Sequence, residues 1–128
     1  MHTSAQSMVT EIGDRAFFYC KSLTSISIPP SVTEIGEDAF FGCSCLTSIV
    51  VSKDNKVYDS REDCNAIIHT ESNTIISGCV KTIIPPSVTE IGRSAFSGCS
   101  SLTSISIPES ITVIGEDAFN GCSSLTSI

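Results

Sequence analysis

Ser87–Pro108 reads S-V-T-E-I-G-R-S-A-F-S-G-C-S-S-L-T-S-I-S-I-P, and nearly every other recognisable segment of the 128-residue chain is a copy, a partial copy or an interruption of it. Aligned on the Ala-Phe pair, the copies fall at Ala16-Phe17, Ala39-Phe40, Ala95-Phe96 and Ala118-Phe119. The first two stand 23 residues apart, as do the last two, while 56 residues separate the middle pair. A fixed period of this size marks a solenoid, in which one turn cannot bury its apolar side without its neighbours.

The shared frame is V-T-x-I-G-x-x-A-F-x-G-C-x-x-L-x-x-I-x-I-P, and each piece has a physical task. In Ile26-Ser27-Ile28 and Ile105-Ser106-Ile107, apolar and polar residues alternate with period two, the pattern of a half-buried strand. Stacked from turn to turn, such strands predict a narrow parallel sheet with the isoleucines inside. Pro29, Pro85 and Pro108 end these strands, because proline lacks the N–H a ladder needs. A second short strand is expected at V-T-x-I, followed by a bend at Gly13, Gly36, Gly92 and Gly115. The A-F-x-x-C piece is expected to close the turn as one turn of helix, with Phe and Cys pointing inward.

The 56-residue gap holds one period plus a degenerate, enlarged turn of 33 residues. Its end, Ser77-Gly78-Cys79, mimics Ser97-Gly98-Cys99, and Val80–Ile84 reads as a shortened strand. Ala66-Ile67-Ile68-His69 and Thr74-Ile75-Ile76 flank the polar stretch Thr70–Asn73, which predicts a β-hairpin. Polar loops precede it on both sides of Val57-Tyr58, so the irregular insert covers about residues 52–79.

The frame resembles the leucine-rich repeats of the BspA-like, or Treponema-type, family. The resemblance covers roughly residues 9–51 and 80–128, and the insert resembles an irregular repeat of that family, N-x-x-Y-x-S followed by an N-A-I-I hairpin. The resulting expectation is a leucine-rich repeat solenoid over residues 1–128. It is a right-handed superhelix of about five turns, with short parallel β-strands, short helical or 3-10 turns and one irregular turn carrying the hairpin. Both chain ends fall inside a copy, which predicts a piece of a longer array. The resemblance implies a surface or secreted protein that binds host, matrix or other cell-surface proteins.

Composition is that of a folded chain and not of a disordered tail. Hydrophobic residues make up 41% and charged residues 16% of the chain. Seven Lys and Arg against fourteen Asp and Glu leave a net charge of −7, which argues against nucleic acid or anionic lipid as the main partner. No apolar run is long enough to span a membrane, so no membrane insertion is expected.

Four of the seven cysteines, Cys20, Cys43, Cys99 and Cys122, share one repeat position and read as a reduced ladder filling small core spaces. Cys45 replaces a serine and is expected near solvent. Cys64 and Cys79 bracket the hairpin symmetrically about Glu71-Ser72, a register that sets them opposite one another and admits a disulfide. Paired metal-binding spacings are absent, and the recurring carboxylates read as a solvated face, so neither metal nor cofactor is expected. His2 is expected in a frayed terminus, which leaves His69 as the candidate base for a Cys64 or Cys79 nucleophile. With no phosphate loop, H-E-x-x-H or G-x-S-x-G motif, a non-catalytic role is favoured over a Cys/His hydrolase.

Two surfaces remain as binding candidates. One is the outward side of the main sheet, comprising Ser25, Ser27, Ser48, Val50, Ser104 and Ser106 with Lys81 and Ile83. The other is the insert, with Tyr58, His69, Glu71 and Asn73. Binding residues on repeat scaffolds break the repeat, which favours the insert. A protein-interaction or adhesion module is therefore the leading expectation, with a carbohydrate-binding module using Tyr58 as a platform behind it. Self-association end to end through uncapped repeats is a further expectation.

Overall fold

The computed structural model describes residues 9–127, and His2 lies outside them. Nine short strands follow one another: β1 (Glu11–Ile12), β2 (Ser25–Ile28), β3 (Glu34–Ile35), β4 (Ser48–Val51), β5 (Tyr58–Asp59), β6 (Ile67–His69), β7 (Thr74–Ser77), β8 (Glu90–Ile91) and β9 (Val113–Ile114). The repeat frame accounts for most of them. β2 and β4 are the I-x-I strands of adjacent copies and pair in parallel, with Ile26 opposite Ile49 and Ile28 opposite Val51. All four of these side chains are buried, while Ser25 and Val50 face outward. β1, β3, β8 and β9 are the V-T-x-I strands, and β1 pairs with β3 as β8 pairs with β9, again in parallel.

The irregular turn breaks the main sheet. Val80–Ile84 forms no strand, and Ser104–Ile107 contributes only a single bridge, Ser104 to Ser127. The reason lies at the free edge of β4. Its Ile49 N–H donates to Asn65 Oδ1 (3.3 Å) and its Val51 N–H donates to Ser60 Oγ (2.9 Å). Side chains of the insert thus satisfy the donors that a third parallel strand would have used. Thr82 meanwhile bends the following segment, accepting the Cys79 N–H at its hydroxyl (2.8 Å).

The hairpin forms as expected and joins the other ladder, in the order β5-β6-β7-β8-β9. Thr74 and Ile75 of β7 occupy the V-T-x-I slot beside Glu90 and Ile91. Its turn is closed by Asn73, whose φ of 56° suits an Asn side chain and whose N–H donates to the His69 carbonyl (2.9 Å). β6 is covered on both faces: Ile67 packs with the core of the first two copies and Ile68 with the core of the last two.

The A-F-x-x-C arms are successive tight turns, not a turn of helix. Arg15, Asp38, Ser94 and Asp117, which precede the Ala, have φ of 56°, 56°, 58° and 61°. A left-handed residue at that point interrupts any right-handed helix. Turn bonds such as Cys20 N–H to Phe17 O alternate with bonds to the next arm, including Phe17 N–H to Ala39 O and Tyr19 N–H to Phe41 O. The arms stack their rings: Phe17 on Phe40 at 5.3 Å and Phe96 on Phe119 at 5.2 Å, both nearly parallel.

The irregular turn contributes no such arm. Between Ile76 and Cys79 the chain omits the Ala-Phe piece, so the second and third arms meet directly. Gly42 N–H donates to Ser97 O (3.4 Å), and a Cβ on Gly98 would stand 2.7 Å from Gly42 Cα. A small cavity of about 40 Å³, lined by residues including Gly36, Phe40, Gly78 and Ala95, remains at this junction.

Candidate functional site

The irregular turn is held by its own polar residues. Asn55 Nδ2 donates to the carbonyls of Pro29 (3.0 Å) and Val32 (2.9 Å), while its Oδ1 accepts the N–H groups of Val57 and Tyr58, each at 2.8 Å. One amide side chain thus staples the insert to the second copy. Asp59 and Arg61 form a two-point ion pair, with Nε to Oδ1 and Nη2 to Oδ2 both at 2.7 Å. Thr70 Oγ1 donates to Asp59 Oδ2 (2.7 Å), and Arg61 Nη1 donates to Asn73 Oδ1 (2.7 Å) and Ser87 Oγ (3.1 Å). Burial acts to raise the Asp59 carboxyl, but hydrogen bonds from Arg61 and Thr70 outweigh it and hold its pKa below the ordinary value. The network fixes the hairpin tip, where Thr70, Glu71 and Ser72 are exposed.

The tip carries a serine–histidine contact, His69 Nδ1 to Ser72 Oγ at 2.8 Å. Ser72 Oγ in turn donates to Thr74 Oγ1 (2.9 Å), and Thr74 Oγ1 lies 3.4 Å from the Ser72 carbonyl. The consistent assignment makes His69 Nδ1–H a donor to Ser72, so the serine proton points toward Thr74. In that arrangement the ring orders the turn by donating to the Ser72 hydroxyl.

The cysteines of the insert lie elsewhere. A bulge between Ile67 and Ile68 shifts the hairpin register by one residue, so the symmetric facing of Cys64 and Cys79 does not survive below it. Both are free thiols, and they pack into different cores. Cys79 Sγ points to the Asn65 carbonyl (3.4 Å) and Cys64 Sγ to that of Ala66 (3.9 Å). Burial pushes Cys64 up to about 11 and raises Cys79 as well, so neither is a thiolate near neutral pH. The Cys–His arrangement considered for a hydrolase is not assembled.

Tyr58 is also corrected. Its side chain is buried, 7% exposed, with its ring T-shaped to that of His69 at 6.0 Å, and it offers no platform for a sugar. Burial raises its hydroxyl pKa, partly offset by a hydrogen bond from the Ile35 backbone to the phenolic oxygen.

The outward sheet residues divide into two groups. Ser25, Ser27, Ser48 and Val50 sit together on β2 and β4, whereas Ser104 and Ser106 lie beyond the irregular turn, beside Ile83 in an open groove. Lys81 is exposed on the bend between them, and Ile83 is 75% exposed. His69, Glu71 and Asn73 belong to the other ladder. Of the repeat-position cysteines, Cys43 and Cys99 are buried, and Cys43 and Cys122 each donate to the Phe carbonyl of the preceding arm, at 3.1 Å. Burial lifts Cys43 to about 11 and Cys99 to about 12. Among the described residues no group of three or more metal-type side chains comes together.

One cluster escapes the alignment on Ala-Phe. Phe18, Tyr19 and Phe41 pack edge and face at 4.7 to 5.4 Å on the outside of the first two arms. Its signal in the sequence is Tyr19 standing where the other copies have Gly42, Gly98 and Gly121.

Comparison with known proteins places this architecture. A family model described as the BspA type leucine-rich repeat region (6 copies) matches residues 2–79 and 76–128. Among solved structures, a leucine-rich cell surface protein from Faecalibacterium prausnitzii A2-165 is 32% identical with a TM-score of 0.74, over 95% of this chain and 33% of that one. A leucine-rich repeat protein from Eubacterium ventriosum ATCC 27560 is 25% identical with a TM-score of 0.69, over 98% of this chain and 40% of that one. A leucine-rich repeat protein from Bacteroides ovatus ATCC 8483 is 34% identical with a TM-score of 0.51, over 93% of this chain and 28% of that one. The chain therefore spans about two fifths or less of the length of these proteins. No curated protein matches it. Repeat period, stacked arms and family match lead to one conclusion: the chain belongs to the BspA-type leucine-rich repeat family.

Proposed function

We propose that this chain is a protein-binding, adhesive module of a surface or secreted leucine-rich repeat protein, with the hairpin tip as its contact point. The observation that carries this reading is the tip itself. Thr70, Glu71 and Ser72 protrude from the repeat, yet Asp59, Arg61, Asn73 and His69 brace the turn beneath them. A polar projection ordered before contact loses less entropy on binding than a mobile loop. A Faecalibacterium protein of similar fold is described as a cell surface protein, which supports the same setting. The buried Tyr58 weighs against the carbohydrate alternative.

The test is biolayer interferometry of the chain against a panel of purified matrix and host surface proteins, with Glu71→Lys/Ser72→Lys as the tip variant. Ile67, Ile68 and Ile75 of the insert are fully buried, so changing the tip is safer than replacing the insert. The expected result is at least one partner whose affinity falls about tenfold or more in the variant. Binding unaffected by the tip but lost in Val50→Ser/Ile83→Ser would move the site to the outer sheet. Binding of glycans alone would overturn the reading.

A further inference from the structure

A second surface lies on the first two arms, away from the hairpin, and it is built from departures from the repeat. After the Ala-Phe pair the third and fourth copies continue Ser97-Gly98 and Asn120-Gly121, whereas the first two continue Phe18-Tyr19 and Phe41-Gly42. Lys21 stands where the other copies have Ser44, Ser100 and Ser123. Arg15 stands where they have Asp38, Ser94 and Asp117. Five departures thus collect in one patch.

The patch is costly to the free chain. Gly42, Gly98 and Gly121 have φ of 75° to 80°, and Tyr19 adopts 56° in the same place. A non-glycine residue there bears conformational strain of about 1 kcal/mol or more. Phe18 and Tyr19 are nevertheless 41% and 53% exposed. Phe18 stacks on Phe41 at 5.3 Å, and Tyr19 meets both rings edge-on. Exposed aromatic clusters of this kind are enriched where proteins contact partners.

Charge specifies the occupant. Arg15 lies over the Phe18 ring at 5.6 Å and Lys21 over the Tyr19 ring at 5.8 Å. Among the described residues the ion pairs are Arg61 with Asp59 and Arg93 with Glu37 and Glu116, so neither patch cation is neutralised by a carboxylate. Two acids of the same arms are engaged elsewhere: Asp14 accepts the Glu37 N–H, and Glu37 pairs with Arg93. Arg15 and Lys21 are thus cations without a carboxylate ion pair, seated on the aromatic rings of a chain of net charge −7, and they can attract an acidic partner although Asp14 and Asp38 stand near Arg15 in the arms. The ring faces are also covered. Arg15 and Phe41 lie on Phe18, while Lys21 and Gly42 lie against Tyr19. A neutral sugar stacking on Phe18 or Tyr19 would have to displace these groups. Carboxylates that reach the two cations while an apolar side chain packs on the ring edges do fit.

We infer that Phe18, Tyr19 and Phe41, with Arg15 and Lys21, form a docking surface for an acidic protein segment in which carboxylates flank an aromatic anchor. This surface is independent of the hairpin tip.

The experiment uses the whole chain and a fluorescent hexapeptide of alternating glutamate and phenylalanine, read by anisotropy. Companion probes are the lysine–phenylalanine and glutamate–serine peptides and an oligogalacturonate. The variants Phe18→Ser/Phe41→Asn, Tyr19→Gly and Arg15→Ser/Lys21→Ser restore residues that other copies carry, so the unfolding midpoint should hold or rise. The expected result is binding of the glutamate–phenylalanine peptide alone, weakened about tenfold or more in each variant, weakened by salt and unchanged in Glu71→Lys/Ser72→Lys. No binding, equal binding of the lysine–phenylalanine peptide, tighter binding of oligogalacturonate or full affinity in the variants would overturn the inference.

Discussion

Phe96 lays its ring against Gly78: a Cβ on that glycine would stand 2.2 Å from Cε1 of the ring. Gly78 lies in the turn that has no Ala-Phe piece, so Phe96, fully buried, stacks on Phe119 on one side and on bare backbone on the other. The phenylalanine column of the first two arms is thereby separated from that of the last two.

Gly78→Ala should destabilise the chain by about 1 to 3 kcal/mol through overpacking, and Phe96→Ala by about 3 to 5 kcal/mol through cavity formation. In a Phe96→Leu background the penalty at position 78 should shrink, because the smaller side chain can withdraw. Urea unfolding of the four proteins measures the coupling, and strict additivity would contradict the contact.

Asn55→Ala removes four hydrogen bonds and leaves the Pro29 and Val32 carbonyls without their side-chain donor. The expected loss is about 2 kcal/mol or more. Amide exchange at Val57 and Tyr58 should accelerate in the variant, ahead of exchange in β2 and β4.

Acid should loosen the irregular turn through Asp59. Its native pKa lies below the ordinary 3.8, so its contribution to stability is present above about pH 4 and is lost as pH falls through the lowered native value. Asp59→Asn should flatten that part of the stability profile at low pH while reducing stability at neutral pH by about 1 to 2 kcal/mol. An unaltered slope between pH 5 and pH 2, bounds set about the usual carboxylate range, would assign the acid sensitivity to other carboxylates.

Thiol labelling should divide the cysteines by burial. Cys45 is exposed and should react with iodoacetamide first, Cys20 and Cys122 more slowly, and Cys43, Cys64, Cys79 and Cys99 only on unfolding. Mass mapping of labelled peptides resolves the order. A Cys64–Cys79 cross-linked peptide from non-reduced protein would contradict the hairpin register described here.

The period, the inward isoleucines and the hairpin are legible in the sequence because each rests on spacing. Ile26, Ile49 and Phe40 recur in register, and a residue that recurs at one repeat position meets its equivalents when turns stack. The arms are less legible, since Arg15, Asp38 and Ser94 adopt left-handed φ without being glycine and carry no local signal of it. The broken main sheet hides for a different reason. Asn65 and Ser60 read as loop residues, but their side chains take the place of a neighbouring strand's backbone, which only the fold reveals. Tyr58 reads as an exposed platform within a polar loop, yet packing against the second copy buries it. The aromatic patch on Phe18, Tyr19 and Phe41 is present in the sequence as a missing glycine at position 19, a sign visible only when the copies are compared two positions past the Ala-Phe pair.

The contact between Gly42 and Gly98 has a geometric consequence. On the arm side the second and third copies are immediate neighbours, while on the ladder side β5, β6 and β7 belong to the turn that separates β3 from β8. Each strand adds about 4.8 Å, so the irregular turn is a wedge with its thin edge at the glycines. Copies on either side of it are one arm apart at the glycines and a hairpin apart at the ladder, so where such a turn falls along an array sets the spacing between the surfaces of the regular copies.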